Sequence, residues 1–167
     1  MRTVTAAWRK KWRIAALAML LAPMLWAGLP SAGAGEAREV YWSDPQTGLA
    51  IGGYDPLSYF VDKTPRMGRP EHQLSWQGVV WQFENEGNLA AFRDTPHIYA
   101  PRFGGYSAPA LARDIAVAGS PLIWDIHRER LYLFYSPAHR FIWRQDPVGM
   151  AAQAESHWPG VARTIAR

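Results

Sequence analysis

Residues 74–83, LSWQGVVWQF, contain the pattern that decides the fold of this chain. Gln77 and Gly78 supply a turn, and in residues 79–83 after it one face carries a valine, a tryptophan and a phenylalanine. Because successive side chains of a strand point to opposite faces, this alternation gives the returning strand one apolar face. The stretch therefore predicts a β-hairpin that packs on a core.

A second hairpin and a set of helices are predicted further along the chain. Residues 122–135, LIWDIHRERLYLFY, place two apolar strands on either side of a polar turn. Side chains of the kind that cap helix N-termini follow the two hairpins at Asn85, Ser136 and Asp146. The first predicts a short helix that ends before Pro96, and the other two predict helices over 137–145 and 147–157.

These elements predict an α+β domain over residues 49–160, built from two β-hairpins and several short helices. Residues 35–48 are interpreted as a linker in which Tyr41 and Trp42 dock on the domain, and residues 161–167 as a C-terminal tail. No internal repeat at a fixed period is evident. The chain has no cysteine, so its stability must come from a packed core, for which the aromatic residues are the material.

Residues 1–34 have the pattern of a secretory signal peptide. Five basic residues and no acidic one accompany an apolar run over 14–29, and small side chains lead up to Ala34. We predict cleavage after Ala34 and a periplasmic or secreted protein. The alternative is an uncleaved membrane anchor, but a spanning helix needs about 20 apolar residues and Pro23 and Gly28 interrupt this run.

Removal of this leader changes the charge of the chain. The whole sequence has 18 lysines and arginines against 14 acidic residues, a net charge of +4. Five of the basic residues lie in the leader and all the acidic ones lie after it, so the mature chain carries about −1. A nearly neutral domain is not expected to bind nucleic acid, and membrane contact is expected only if the leader is retained.

Three segments of the mature chain resemble the exported branch of the YHS-domain family. They are residues 53–60 (GYDPLSYF), residues 76–83 together with Asn88 and Phe92, and residues 99–108 (YAPRFGGYSA). The resemblance implies a small fold related to treble-clef metal-binding modules. It also implies metal or redox chemistry, because this branch commonly carries cysteine or selenocysteine where this chain has Ser107.

The serine changes what the resemblance implies. A serine hydroxyl at neutral pH is neither a soft metal ligand nor a redox group, so the family site is degenerate here. The candidate ligand-binding residues lie in the loop around it and are Tyr99, Phe103, Tyr106 and Ser107. Loops carry function more often than regular elements do, although the aromatic residues would serve a core equally well.

His97 is the candidate metal ligand because it lies just before this loop. The five histidines are at least 12 residues apart, so none forms a short ligand motif, and ligands would have to converge from distant elements. We predict no cofactor, with copper or zinc at His97 as the alternative.

Ser107 also lies in the sequence Gly-Tyr-Ser-Ala-Pro, which partly matches the Gly-x-Ser-x-Gly turn of serine hydrolases. Pro109 replaces the final glycine, and the partners for a triad would be Asp114, Asp125 and His127. We expect no hydrolase activity.

The sequence therefore predicts a non-enzymatic periplasmic binding or accessory module with a degenerate metal or thiol site. Its partner would be an unidentified periplasmic protein or a small ligand. The alternative is a metal-binding or redox protein that uses His97 and the loop from Tyr99 to Ser107.

The leader makes a prediction about the mature protein. When the full chain is produced in a bacterium, mass spectrometry of the exported protein should find Gly35 at its N-terminus. An Ala34→Tyr variant should be cleaved poorly, because signal peptidase accepts only small side chains there, whereas Ala37→Tyr should be processed normally. A chain that keeps Met1 in the membrane fraction would contradict cleavage.

Overall fold

The computed structural model of the protein describes residues 40–166. The predicted leader and residues 35–39 of the predicted linker lie outside this range. The four strands are β1 (Arg69–Trp76), β2 (Val79–Phe83), β3 (Ser120–His127) and β4 (Arg130–Phe134). The six helices are α1 (Ser58–Val61), α2 (Glu86–Asp94), α3 (Pro96–Tyr99), α4 (Ala108–Leu111), α5 (Pro137–Gln145) and α6 (Pro147–Ile165). Single 3-10 turns cover Ile51–Gly53 and Arg102–Gly105.

The predicted α+β class is confirmed. β1 and β2 form one antiparallel two-stranded sheet, and β3 and β4 form another. The side chains of Asn85, Ser136 and Asp146 each accept a hydrogen bond from a backbone N–H in the first turn of the helix that follows. The relation to treble-clef modules stays a prediction.

Tyr41 docks on the domain as expected, whereas residues 161–165, which were expected to form a tail, continue a helix. Tyr41, which belongs to the predicted linker, is buried, and its ring lies 5.2 Å from that of Trp76 and 5.3 Å from that of Trp81 between centroids. Residues 161–165, placed in the predicted tail, continue α6, where Val161 is buried. Apolar packing decides both cases, because each segment covers a core that would otherwise face water.

Helix α6 contains Pro159 and continues beyond residue 157, the predicted end of the helix. A proline in a helix removes one backbone hydrogen bond, and here the packing of the following turn on the core outweighs that loss. No helix among residues 40–166 is long and apolar enough to cross a membrane.

The order of the elements shows a structural repeat that was not evident in the sequence. Each element of residues 51–99, the first repeat, recurs about 51 residues later in residues 103–150, the second repeat. The matched elements are β1 with β3, β2 with β4, α1 with α4, α2 with α5, and α3 with the start of α6. Both hairpins have their register shift at the same place, between the outermost pair and the next.

The two repeats share their unusual backbone conformations at matched positions, with an offset of 52 residues before α1 and of 51 residues after it. A positive φ occurs at matched positions, namely Ile51 and Phe103, Gly52 and Gly104, Gly53 and Gly105, Lys63 and Asp114, Gln77 and Arg128, and Gly78 and Glu129. The N–H of Gly68 donates to the carbonyl of Gly53 at 2.9 Å, and the N–H of Gly119 donates to that of Gly105 at the same distance. Few of the matched side chains are identical, so the sequence alone did not indicate the repeat.

Each repeat has a core, and strand β4 contributes to both. Leu131 and Leu133 belong to the first core, which contains Trp81 and Phe92, whereas the alternate residues of β4 belong to the second. Because neighbouring side chains of a strand point in opposite directions, β4 is apolar on both faces. The Tyr59 hydroxyl also donates to the Pro121 carbonyl at 2.9 Å and so links the two repeats.

Asp55 is the buried polar centre of the first repeat. One carboxylate oxygen accepts from the backbone N–H of Leu57 at 2.8 Å, which is the turn predicted before Pro56. The other accepts from the backbone N–H of Glu84 at 2.8 Å and from the side-chain amide of Asn88 at 2.7 Å. A single carboxylate thus connects the turn before α1, the end of β2 and the first turn of α2.

An Asp55→Asn variant should lose about 2 to 4 kcal/mol of unfolding free energy, because an amide group would face buried donors and leave them without an acceptor. Urea denaturation followed by circular dichroism measures this loss. The exposed Asp94→Asn variant is the matched control and should differ from wild type by less than about 0.5 kcal/mol. Equal stabilities for the two variants would contradict this role of Asp55.

Candidate functional site

Ser107 lies immediately before α4 and is fully buried. Its hydroxyl oxygen is 2.9 Å from Nδ1 of His139, the third residue of α5. A serine at this position usually uses its hydroxyl to cap the helix. Here the side chain makes no capping hydrogen bond and is paired with the imidazole instead.

The start of α4 explains why the hydroxyl is available. Pro109 has no N–H to offer, and the N–H groups of Ala110 and Leu111 both donate to the main-chain carbonyl of Ser107. The serine N–H in turn donates to the carbonyl of Val117 at 2.9 Å. The backbone around Ser107 is therefore satisfied without its side chain.

The pair of Ser107 and His139 occupies the position that Asp55 and Asn88 occupy in the first repeat. Ser107 follows the second Gly-Gly-Tyr as Asp55 follows the first, and His139 is the third residue of α5 as Asn88 is of α2. The same two places thus hold a carboxylate with an amide in one repeat and a hydroxyl with an imidazole in the other. Sequence reasoning missed His139, and the unrecognised repeat was the signal that could have found it.

The surroundings of His139 favour its neutral form. Burial lowers the pKa of His139 below its ordinary value, and the nearby positive charge of Arg113 lowers it further. The backbone N–H of His139 donates to the Ser136 hydroxyl at 3.3 Å, and its ring lies 5.7 Å from that of Tyr135. The helix cap and the serine together hold the imidazole in place.

His139 lines a cavity of about 490 Å³ between α4, α5 and α6. This volume lies within the range of about 300 to 1,000 Å³ that is common for small-molecule sites. The lining is mainly apolar and consists of Pro109, Ala110, Ala112, Arg113, Ile115, Val117, Tyr135, His139, Ile142, Met150 and Gln153.

Two aromatic rings of the first repeat stand at positions that correspond to cavity-lining residues of the second repeat. Phe60 and Tyr99 meet edge to face there, with their centroids 5.6 Å apart. Counted from the Gly-Gly-Tyr of each repeat, Phe60 corresponds to Ala112, and Tyr99 and Met150 are the fourth residues of α3 and α6. Both Ala112 and Met150 line the cavity. An alanine and a flexible thioether fill less space than two aromatic rings, so these two positions leave more room in the second repeat than in the first.

The structure does not bring the four predicted ligand-binding residues together. Tyr99 packs on Phe60 in the first repeat, whereas Phe103 and Tyr106 both pack against Trp158 of α6. None of these three residues lines the cavity beside His139. Their aromatic rings serve packing, and Ser107 reaches the cavity wall only through His139.

His97 is exposed and its ring lies 5.1 Å from that of Trp76, on the first repeat. The histidine that is hydrogen-bonded to Ser107 is His139 and not His97. A metal site at His97 stays a prediction. Among residues 40–166, no three histidine, aspartate or glutamate side chains form a group that could hold a metal ion.

Two of the residues considered as partners in a hydrolase triad, Asp125 and His127, make other contacts. Asp125 forms an ion pair with Arg144 at 3.2 Å, and the His127 ring packs edge to face on Trp143.

No family model, curated protein or solved structure matches this chain.

Acid should destabilise the wild-type protein more than a His139→Asn variant, which carries the asparagine that the first repeat has at this position. In the unfolded chain His139 has a pKa near its ordinary value of about 6.5, and in the folded protein its pKa is lower. Between the two values the unfolded state binds more protons, so stability falls as the pH drops through this window.

Urea unfolding of both proteins at pH 7.5 and pH 5.0 measures this effect. The stability of wild type relative to the variant should be greater at pH 7.5 than at pH 5.0. If the stability difference between wild type and variant is the same at both pH values, then burial and Arg113 do not lower the pKa of His139 in the folded protein.

Proposed function

We propose that this protein is an exported, non-enzymatic binding module of the YHS type that holds a small organic ligand in the cavity beside His139. The family site at Ser107 no longer offers a thiol, and the neighbouring cavity provides the binding surface. The export signal would place this module in a periplasm or outside the cell.

The observation that carries this proposal is the difference between the two repeats. They share one backbone plan, yet the positions that hold the rings of Phe60 and Tyr99 in one hold Ala112 and Met150 beside a cavity in the other. Protein interiors are packed to nearly crystalline density, so an opening of this size in a fold that has an obvious means of closing it favours a ligand site.

The burial of Ser107 supports binding rather than nucleophilic chemistry. A nucleophile must reach its substrate, and this hydroxyl is fully buried behind His139. Its hydrogen bond instead orients the imidazole at the cavity wall. Ser107 is therefore a positioning residue in this proposal.

The neutral fluorescent probe N-phenyl-1-naphthylamine tests for an apolar site. Wild-type protein should bind it with a saturable rise in fluorescence. An Ala112→Phe variant should lose at least about tenfold in affinity, because it restores the side chain that the first repeat has at this position and fills the cavity. Phe60 and Ala112 both have helical backbone conformations.

Ala90→Phe, on the exposed face of α2, is the matched control and should bind the probe like wild type. Circular dichroism and urea unfolding show whether both variants are folded. Equal binding by a folded Ala112→Phe protein, or no saturable binding by wild type, would overturn the proposed function.

A further inference from the structure

We propose that the cavity takes an organic anion, a carboxylate with a compact apolar body, and that Arg113 binds its charged group. This inference rests on the proposed function and names the class of ligand. It comes from the charges of the cavity lining and from the way the second repeat differs from the first.

The cavity lining carries a positive charge and no negative one. Arg113 contributes the cation, and no aspartate or glutamate of the described part of the chain lines the cavity. The remaining walls are apolar apart from the neutral side chains of Tyr135, His139 and Gln153. A charged ligand therefore meets attraction only if it is an anion, and its apolar body meets residues such as Ile142 and Met150.

Among residues 40–166, Arg113 forms no ion pair with a carboxylate. Other arginines of the described chain form ion pairs, such as Arg102 with Glu155 and Arg144 with Asp125, whereas Arg113 has no acidic group within 4 Å among residues 40–166. Its guanidinium is exposed at the cavity and keeps its donors available for a carboxylate.

The cation and the open space occur together in the second repeat only. Val61 stands at the matched position of the first repeat, next to Phe60. The second repeat therefore combines Arg113 with Ala112, a charge with room beside it. Two neighbouring differences that together suit one kind of ligand are better explained by a site than by loosened packing.

His139 adds a second donor. The buried Ser107 hydroxyl has no acceptor other than Nδ1 of His139 among the described residues, so it donates to this nitrogen. A neutral imidazole that accepts at Nδ1 carries its hydrogen on Nε2 and can donate there. A carboxylate accepts from both this N–H and a guanidinium, whereas an ammonium group can accept from neither.

Isothermal titration calorimetry with two ligands of the same shape tests the inference. At pH 7.5 and low salt, wild-type protein should bind 2-naphthoate about 5 to 10 times more tightly than neutral 2-naphthamide. In an Arg113→Gln variant this ratio should fall to nearly 1 while the affinity for 2-naphthamide stays within about twofold. The exposed Arg93→Gln variant is the matched control and should keep the wild-type ratio.

An equal or stronger affinity for 2-naphthamide in wild type, or a ratio that survives in folded Arg113→Gln protein, would overturn the inference. Binding of N-phenyl-1-naphthylamine distinguishes a failure of this inference from a failure of the proposed function. If N-phenyl-1-naphthylamine binds and Ala112→Phe abolishes its binding, the cavity is a ligand site whatever its charge preference. If neither naphthalene ligand nor the neutral probe binds, both proposals fail.

Discussion

Strand β4 is the constraint on which the rest of the structure depends, because both of its faces are buried. Leu131 and Leu133 pack in the core of the first repeat, and Tyr132 and Phe134 pack in the core of the second. A strand buried on both sides cannot shift by one residue without exchanging the side chains of two cores. The register of β4 therefore sets the position of α5, and with it the position of the cavity wall.

The two repeats have the same order of elements but differ in the buried polar pair that each contains. In the first repeat the Asp55 carboxylate accepts three hydrogen bonds and joins the turn, the hairpin and the helix. In the second repeat the Ser107 hydroxyl makes a single hydrogen bond to His139. The pair of Asp55 and Asn88 stabilises the first repeat, whereas the pair of Ser107 and His139 places an imidazole at the edge of a cavity. In the function that we propose, the first repeat has a structural role and the second binds the ligand.

Much of the fold could be predicted from the sequence, but little of the candidate site could. The hairpins and capped helices depend on residues close in the chain, such as Ser136 and the turn of α5 that it caps. The partner of Ser107 is 32 residues away, and the metal candidate His97 was chosen for its nearness in sequence. Nearness along the chain is a poor guide to contacts that form only when helices from different segments pack together.

The sequence by itself determined the local elements, the α+β class and the nearly neutral charge of the chain after its predicted leader, because strand alternation, capping and ionisation are properties of neighbouring or single residues. The tertiary structure decided that the domain consists of two repeats, that Ser107 meets His139, and that Ala112 lies at an opening where Phe60 lies in a filled core. These outcomes depend on how much space the packed elements leave between them, and no residue encodes such a volume alone.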